Sequence, residues 1–360
     1  PMATEASTFI IAEAGVNHNG SLDLALRLAD VAADAGADAV KFQTFRAASL
    51  VAKHASKAAY QKHNTDPYES QLDMIRKLEL DEYAHDRLIA HCRERGIAFM
   101  STPFDSDSLQ LLICRFGLDT IKVSSGDITN APFLLEIARS AAKVILSTGM
   151  STLGEVEAAL GVLAFGFTAS SDIAPSPIAF WEAYFSTEGQ CALRRRASLL
   201  HCTTEYPAPV AEVNLRAMDT MAQAFGLRVG YSDHTLGIHV PIAAVARGAC
   251  IIEKHFTLDR SLPGPDHRAS LEPAELKSMV ATIRDVEQCI GDGIKIPTAS
   301  ELNNRIVARK SLVAAKPIAQ GAPLAIVCKR PGNGISPFEF WNREGRPAKR
   351  SYVADEVLDA

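Results

Sequence analysis

The stretch FIIAEAGVNHNGSLDLALRLADVAADAGADAVKFQ (residues 9–43) contains a complete strand–helix–strand unit. Phe9-Ile10-Ile11-Ala12-Glu13 is an apolar run that stops at a carboxylate. Ser21 is placed to cap a helix over residues 22–35, and Gly36 to end it. Ala39-Val40-Lys41-Phe42-Gln43 is then a second apolar run with a polar end. Further runs of this kind follow at 97–102, 120–125, 144–148, 199–203, 228–234 and 251–255, so there are eight in all. Helix-length stretches of Ala, Leu and charged residues separate most of them. This rhythm predicts an α/β chain built as a (β/α)8 TIM barrel, whose C-terminal strand ends converge on one mouth.

The 360 residues exceed the ~250 of such a barrel, and the texture changes after Gly291. We therefore expect a barrel over 1–291, a polar linker over 292–309, and a small mostly-β domain over 310–360. A core of fewer than ~60 residues is marginal alone, so the tail should pack on something, its own barrel or a partner subunit. Hydrophobic residues make up 47% and charged residues 22%, which is enough for a large buried core. A net charge of −5 gives no general electrostatic reason to bind nucleic acid or an acidic membrane. No apolar stretch approaches the ~20 residues of a membrane span. The opening residues lack the pattern of a signal peptide. Seven cysteines without a CxxC pair suit reduced thiols and a cytoplasmic location.

After the second run comes a polar excursion to about Pro67, a length usual for functional lids. Residues 69–78 and 81–95 then have helical periodicity. Asp105 is placed to cap the helix after the third strand, and Ser151 or Thr152 the one after the fifth. Residues 166–190, rich in Ser, Pro and aromatics, are expected to be an irregular surface insertion, and 272–290 the closing helix.

His234 and His255 end the last two strands, which are neighbours in a closed barrel. Two imidazoles there can hold one divalent cation and leave positions for water and substrate oxygens. The alternative is that each only hydrogen-bonds within its loop. Two nitrogen ligands among oxygen groups suit Mn²⁺ or Mg²⁺ better than a closed zinc site. Lys41 and Lys122 lie inside apolar strands, where burial is costly without a counter-charge. That charge is either an anionic substrate or an internal carboxylate such as Glu13 or Asp127. Arg330 is a third candidate anion binder. Ser125, Ser147 and Ser232 offer hydroxyls, with Gly126 and Gly149 beside two of them, at turns suited to phosphate. Glu13, Asp127 and Asp266 are the carboxylates available for hydroxyl binding or proton transfer, although Asp266 also fits an ordinary polar turn. The chain has no nucleophile elbow, Walker loop or GxGxxG turn.

Together these motifs resemble the N-acetylneuraminate (sialic acid) synthases and their relatives for other nonulosonic acids. The matching stretches include Ala12-Glu13-Ala14-Gly15-Val16-Asn17-His18-Asn19-Gly20, Lys122-Val123-Ser124-Ser125-Gly126-Asp127, Tyr231-Ser232-Asp233-His234-Thr235, Glu253-Lys254-His255-Phe256 and Lys329-Arg330-Pro331-Gly332-Asn333-Gly334. They occur in the family's order over nearly the whole chain, and the tail is similar to its antifreeze-like (SAF) domain.

The resemblance implies condensation of phosphoenolpyruvate (PEP) with an N-acetylated mannose-type sugar. N-acetylmannosamine is the first choice, with N-acetylneuraminate and phosphate as products. The alternative acceptor is 2,4-diacetamido-2,4,6-trideoxymannose, giving a legionaminic acid-type product. Metal binding is implied for His234 and His255, with Mn²⁺ first and Mg²⁺ or Co²⁺ as alternatives. PEP binding is implied for Lys41, Lys122, Ser125, Ser147 and Ser232, and sugar contacts for Glu13, Asp127 and Asp266, with Gln43 and Tyr206 close by. Arg330 matches an arginine that one subunit's SAF domain inserts into its partner's barrel, which implies a homodimer with exchanged tails. Asp127 stands where many bacterial relatives carry Glu, and Thr204 where some carry Asn. A 3-deoxy-octulosonate 8-phosphate synthase is another enzyme of this kind, disfavoured by the tail. A non-catalytic ice- or polymer-binding module is disfavoured by the full set of rim residues.

Overall fold

The computed structural model describes residues 7–359 except 53, 54, 58 and 67. The ends of the expected segments 1–291 and 310–360, and Pro67 at the close of the long excursion, thus lie outside the described residues. Two compact units are present, Pro1–Ile290 and Gly291–Ala360.

The first unit holds eight parallel strands. They are β1 (Phe9–Gly15), β2 (Ala39–Thr44), β3 (Ala98–Pro103), β4 (Thr120–Val123), β5 (Lys143–Ser147), β6 (Ala197–Cys202), β7 (Arg228–Asp233) and β8 (Ile251–His255). The hydrogen-bonded order is β3-β2-β1-β8-β7-β6-β5-β4. β3 and β4, the two ends of this series, pack side by side, so the sheet is a nearly closed barrel with helices outside. The TIM-barrel expectation is met.

Local chemistry explains the frame. The Ser21 side chain accepts from Leu24 N, and Gly36 ends the helix Leu22–Ala35 in a left-handed conformation, as expected. That helix buries Leu28 together with Ala25, Ala29, Ala32 and Ala35, whose small side chains permit close approach. Asp105 caps Ser106–Gln110, and Thr152 with Glu155 forms a capping box on Leu153–Thr168. Inside the barrel, Ile11, Ala39, Met100, Ile145, Leu200 and Ile251 form an apolar layer.

Register then aligns the site. Glu13 pairs with Lys41 across β1–β2 and with His255 across β1–β8. Ser232 on β7 pairs with Glu253 on β8. Side chains two apart on a strand share a face, so Glu253 and His255 point the same way.

Two expectations need correction. The insertion is not irregular: helices Pro177–Phe185 and Thr187–Arg196 fill most of it. Two of its serines are caps, Ser176 accepting from Ala179 N and Ser186 from Gly189 N. Nor is 292–309 only a polar linker, since Ala299–Ala308 is helical behind a Thr298/Glu301 capping box. That helix belongs to the second unit. There β9 (Ser311–Ala314) pairs antiparallel with β10 (Ile326–Lys329) over a core of Leu312, Ile318, Ile326, Tyr352 and Leu358. Among the described residues, no helix is long and apolar enough to cross a membrane.

Candidate active site

A cavity of about 600 Å³ opens at the C-terminal strand ends. At its centre are two lysines and two carboxylates, all buried. Lys41 Nζ is 2.7 Å from Glu13 Oε2 and 3.6 Å from Glu253 Oε2. Lys122 Nζ is 3.6 Å from the other oxygen of Glu253, Oε1, which also accepts from Ser232 Oγ at 2.8 Å. Lys41 donates to Thr102 Oγ1 at 2.9 Å, and Lys122 to its neighbour's carbonyl, Val123 O, at 3.2 Å. The internal-carboxylate reading of Lys41 therefore holds for Glu13. Lys122 is served by Glu253 rather than Asp127.

Electrostatics separates the two carboxylates. Burial alone pushes both up, but Glu253 lies between Lys122 and Lys41 and is held down at about 2. Glu13 has chiefly Lys41 to oppose its burial, feels the charge of Glu253, and is raised to about 7. Glu253 is thus the fixed anion and Glu13 the group that can carry a proton near neutrality. Burial lowers Lys122, whereas Glu13 and Glu253 outweigh burial at Lys41 and raise it.

On the β4–β6 side, Ser125 Oγ accepts from Gly149 N at 2.9 Å and lies 3.1 Å from Cys202 Sγ. A side chain at Gly149 would collide with Thr204, Cys202 and Ser125, so only glycine lets this turn approach. Ser147 Oγ is buried and has no hydrogen-bond partner among the described residues, an unusual state for a core hydroxyl.

His234 and His255 face each other with ring centroids 5.5 Å apart. His234 Nδ1 lies 2.7 Å from Thr203 O. A carbonyl only accepts, so Nδ1 carries the proton and Nε2 keeps its lone pair. His255 Nδ1 is buried without a partner among the described residues. Burial lowers both imidazoles and keeps them neutral, the form a metal requires. No group of three or more His, Cys, Asp or Glu among the described residues is arranged to hold a metal ion. A cation held by the two neutral histidines would take its remaining ligands from water or substrate. The Tyr206 ring lies 4.1 Å from that of His234 and edge-on to His255 at 5.6 Å. Asp266 also lines the cavity, and burial raises it to about 6. Gln43 donates weakly to Glu13 Oε1 at 3.5 Å.

The structure thus brings together Glu13, Lys41, Gln43, Lys122, Ser125, Ser147, Tyr206, Ser232, His234, His255 and Asp266. Asp127 is not in the lining. It sits in the turn Ser125–Asp127, half-exposed, and accepts from Ser124 Oγ at 2.9 Å. Arg330 belongs to the second unit, where its Nε donates to Ala308 O. Sequence reasoning missed Glu253, although an acid two residues before His255 in an apolar strand is a readable signal. It also missed the apolar wall formed by Val16, Phe45, Leu50, Met74, Leu78 and Phe104.

The NeuB family matches residues 28–295. The chain is 50% identical over 354 residues to the N,N'-diacetyllegionaminic acid synthase of Campylobacter jejuni, covering 98% of each. It is 45% identical over 361 residues to the protein of the same name in Legionella pneumophila, covering 99% of this chain and 95% of that one. Among solved structures, it is similar to the N-acetylneuraminic acid synthetase of Leptospira borgpetersenii in complex with citrate. That match has a TM-score of 0.66 and 33% identity, covering 83% of this chain and 90% of the other.

Proposed function

The chain belongs to the NeuB family, and on that premise we propose that it condenses PEP with 2,4-diacetamido-2,4,6-trideoxymannose. The products are a legionaminic acid-type nonulosonic acid and phosphate. Sequence alone ranked N-acetylmannosamine first. Two relatives at 50% and 45% identity, both named for the diacetylated product, reverse that order. The apolar wall favours the same acceptor, because a C6 methyl and a second acetyl group would lie against it without stranding a hydroxyl.

The observation that carries the reaction class is the pair of buried lysines, Lys41 and Lys122, sharing Glu253 at the foot of the cavity. PEP brings a phosphate and a carboxylate to such cations. Ser147, whose hydroxyl has no internal partner, together with Ser125 and Ser232, supplies further donors. C3 of PEP forms a bond to the sugar aldehyde carbon, water adds at C2, and the C2–O bond to phosphate breaks. Glu13 is placed to give a proton to the aldehyde oxygen as it becomes an alkoxide, and later to accept one from the attacking water. Asp266 and Gln43 orient the sugar hydroxyls. Tyr206 packs beside the histidines and holds their rings. His234 and His255 would hold a divalent metal, Mn²⁺ first, which when bound polarises a carbonyl oxygen.

We further propose that residues 310–360 are an SAF-type domain and that Arg330 completes the mouth of a second copy's barrel. Asp127 would reach the sugar only after its turn shifts. Phe338 and Trp341 are 91% and 85% exposed, a surface that a partner would cover.

The deciding test is phosphate release with PEP and Mn²⁺ against both acceptor sugars, with mass analysis of the product. Turnover of the diacetamido sugar should exceed that of N-acetylmannosamine by at least tenfold in kcat/KM. Equal or reversed preference would overturn the acceptor assignment, and no release with either sugar would overturn the reaction.

A further inference from the structure

A second cavity of about 670 Å³ lies at the other end of the barrel and shares no lining residue with the first. Its lining includes Ala98, Thr120, Lys143, Ala197, Arg228 and Ile251, the opening residues of β3 to β8. The apolar layer across the barrel interior separates it from the mouth.

The charge there is opposite to that of the chain as a whole. The net charge of the protein is −5. Among the described residues, this cavity is lined by six cations, Arg93, Lys143, Arg194, Arg195, Arg196 and Arg228, against one carboxylate, Asp119. Arg196 is committed: it donates to Ala138 O and Ala142 O and lies 4.0 Å over the Phe167 ring. Arg228 contacts Cys250. Arg93, Lys143, Arg194 and Arg195 form no ion pair among the described residues.

Three of these arginines stand in the last turn of Thr187–Arg196, where the helix dipole favours cations. Arg93 stands in the last turn of another helix, Glu82–Arg95, where the same dipole applies, but the dipole does not account for Lys143 and Arg228, which open two different strands. Four unpaired cations held around one concavity repel each other, and an anion would relieve that repulsion. Between them the floor is apolar, with Phe9, Phe99, Met100 and Ile145. The volume falls within the ~300–1,000 Å³ of small-molecule sites.

We propose that this cavity is a second ligand site, for a nucleoside phosphate. Arg194, Arg195, Lys143 and Arg93 take the phosphate groups, because guanidinium forks match phosphate oxygens. The base lies on Phe9 and Phe99, and Asp119 accepts from a sugar hydroxyl. No step of the condensation uses these residues, so the site is separable from the mouth.

The test is calorimetric titration of the full chain, without added metal, with ATP, tripolyphosphate and adenosine. ATP should bind saturably at one site per chain, tripolyphosphate at least threefold more weakly, and adenosine not detectably. R194E/R195E should weaken ATP at least tenfold while leaving the KM for PEP unchanged, and K122M should leave ATP affinity unchanged. The proposal is overturned by the absence of saturable ATP binding. It is equally overturned by tripolyphosphate matching ATP, or by R194E/R195E leaving the affinity intact.

Discussion

Lys41 Nζ lies 2.7 Å from Glu13 Oε2, with both side chains buried, yet Glu13 is raised to about 7 rather than held ionised. Burial is the larger effect and the nearby charge of Glu253 adds to it, so Lys41, although closer to Glu13 than to Glu253, offsets them only in part. Glu13→Gln keeps the shape and removes the proton. It should lower phosphate release at least a hundredfold, within the ~10²–10⁴ of a general acid–base group. The half-saturating PEP concentration should change less than threefold, because Lys41 remains. A large loss of PEP affinity with normal kcat would instead make Glu13 a binding group.

Asp266 gives a pH prediction with a definite sign. Burial raises its carboxyl from 3.8 to about 6, so between those values the folded state holds a proton that the unfolded chain has lost. Stability therefore falls as pH rises through that window and is level above it. Asp266→Asn carries no such charge. Relative to the parent its stability should rise between pH 4 and 7, by ~3 kcal/mol at the plateau, seen as a growing difference in melting temperature. Parallel melting curves of the two proteins from pH 4 to 8 would contradict this.

The barrel was legible because strand ends are abrupt here: an apolar run followed at once by Lys, Glu, Ser or His. The positions of Lys41, Lys122, His234 and His255 followed from that alternation. Glu253 was hidden by the weight given to strand ends, since it lies two residues inside β8. The helices after Gly166 were hidden by composition. Ser176-Pro177 and Ser186 suggest a loop, but each serine is an N-cap and Pro177 opens a helix, where its missing N–H costs nothing. The apolar wall was illegible for another reason: Phe45, Met74 and Phe104 come from separate segments that meet only once the barrel closes.

Glu253 holds two lysines at once, so its loss should be structural as well as functional. Glu253→Ala leaves Lys41 with Glu13 and, among the described residues, Lys122 with no carboxylate within 4 Å. Breaking a buried pair from one side costs ~3–5 kcal/mol. Urea unfolding should show a drop of that order, and a midpoint unchanged from the parent would mean that water already screens the pair.

Ser147 should separate stability from function. Its buried hydroxyl has no partner among the described residues, so Ser147→Ala removes an unsatisfied group and should leave the melting temperature equal or slightly higher. The same change should raise the half-saturating PEP concentration about tenfold, the loss of ~1.4 kcal/mol of hydrogen bonding. A destabilised variant with unaltered PEP kinetics would show that the hydroxyl serves the fold.

If one cation is held by both His234 and His255, the two residues should behave as a unit. Chelation should abolish phosphate release, and Mn²⁺ should restore it. His234→Ala and His255→Ala should each lose release and lose tight Mn²⁺ binding by calorimetry, while near-UV dichroism stays that of the parent. Burial already keeps both imidazoles neutral, so neither substitution removes a stabilising charge from the fold. The double variant should be no worse than either single one, since each ring alone is insufficient for the ion. Additive losses would instead mean that the histidines act separately, as hydrogen-bonding groups on neighbouring strands.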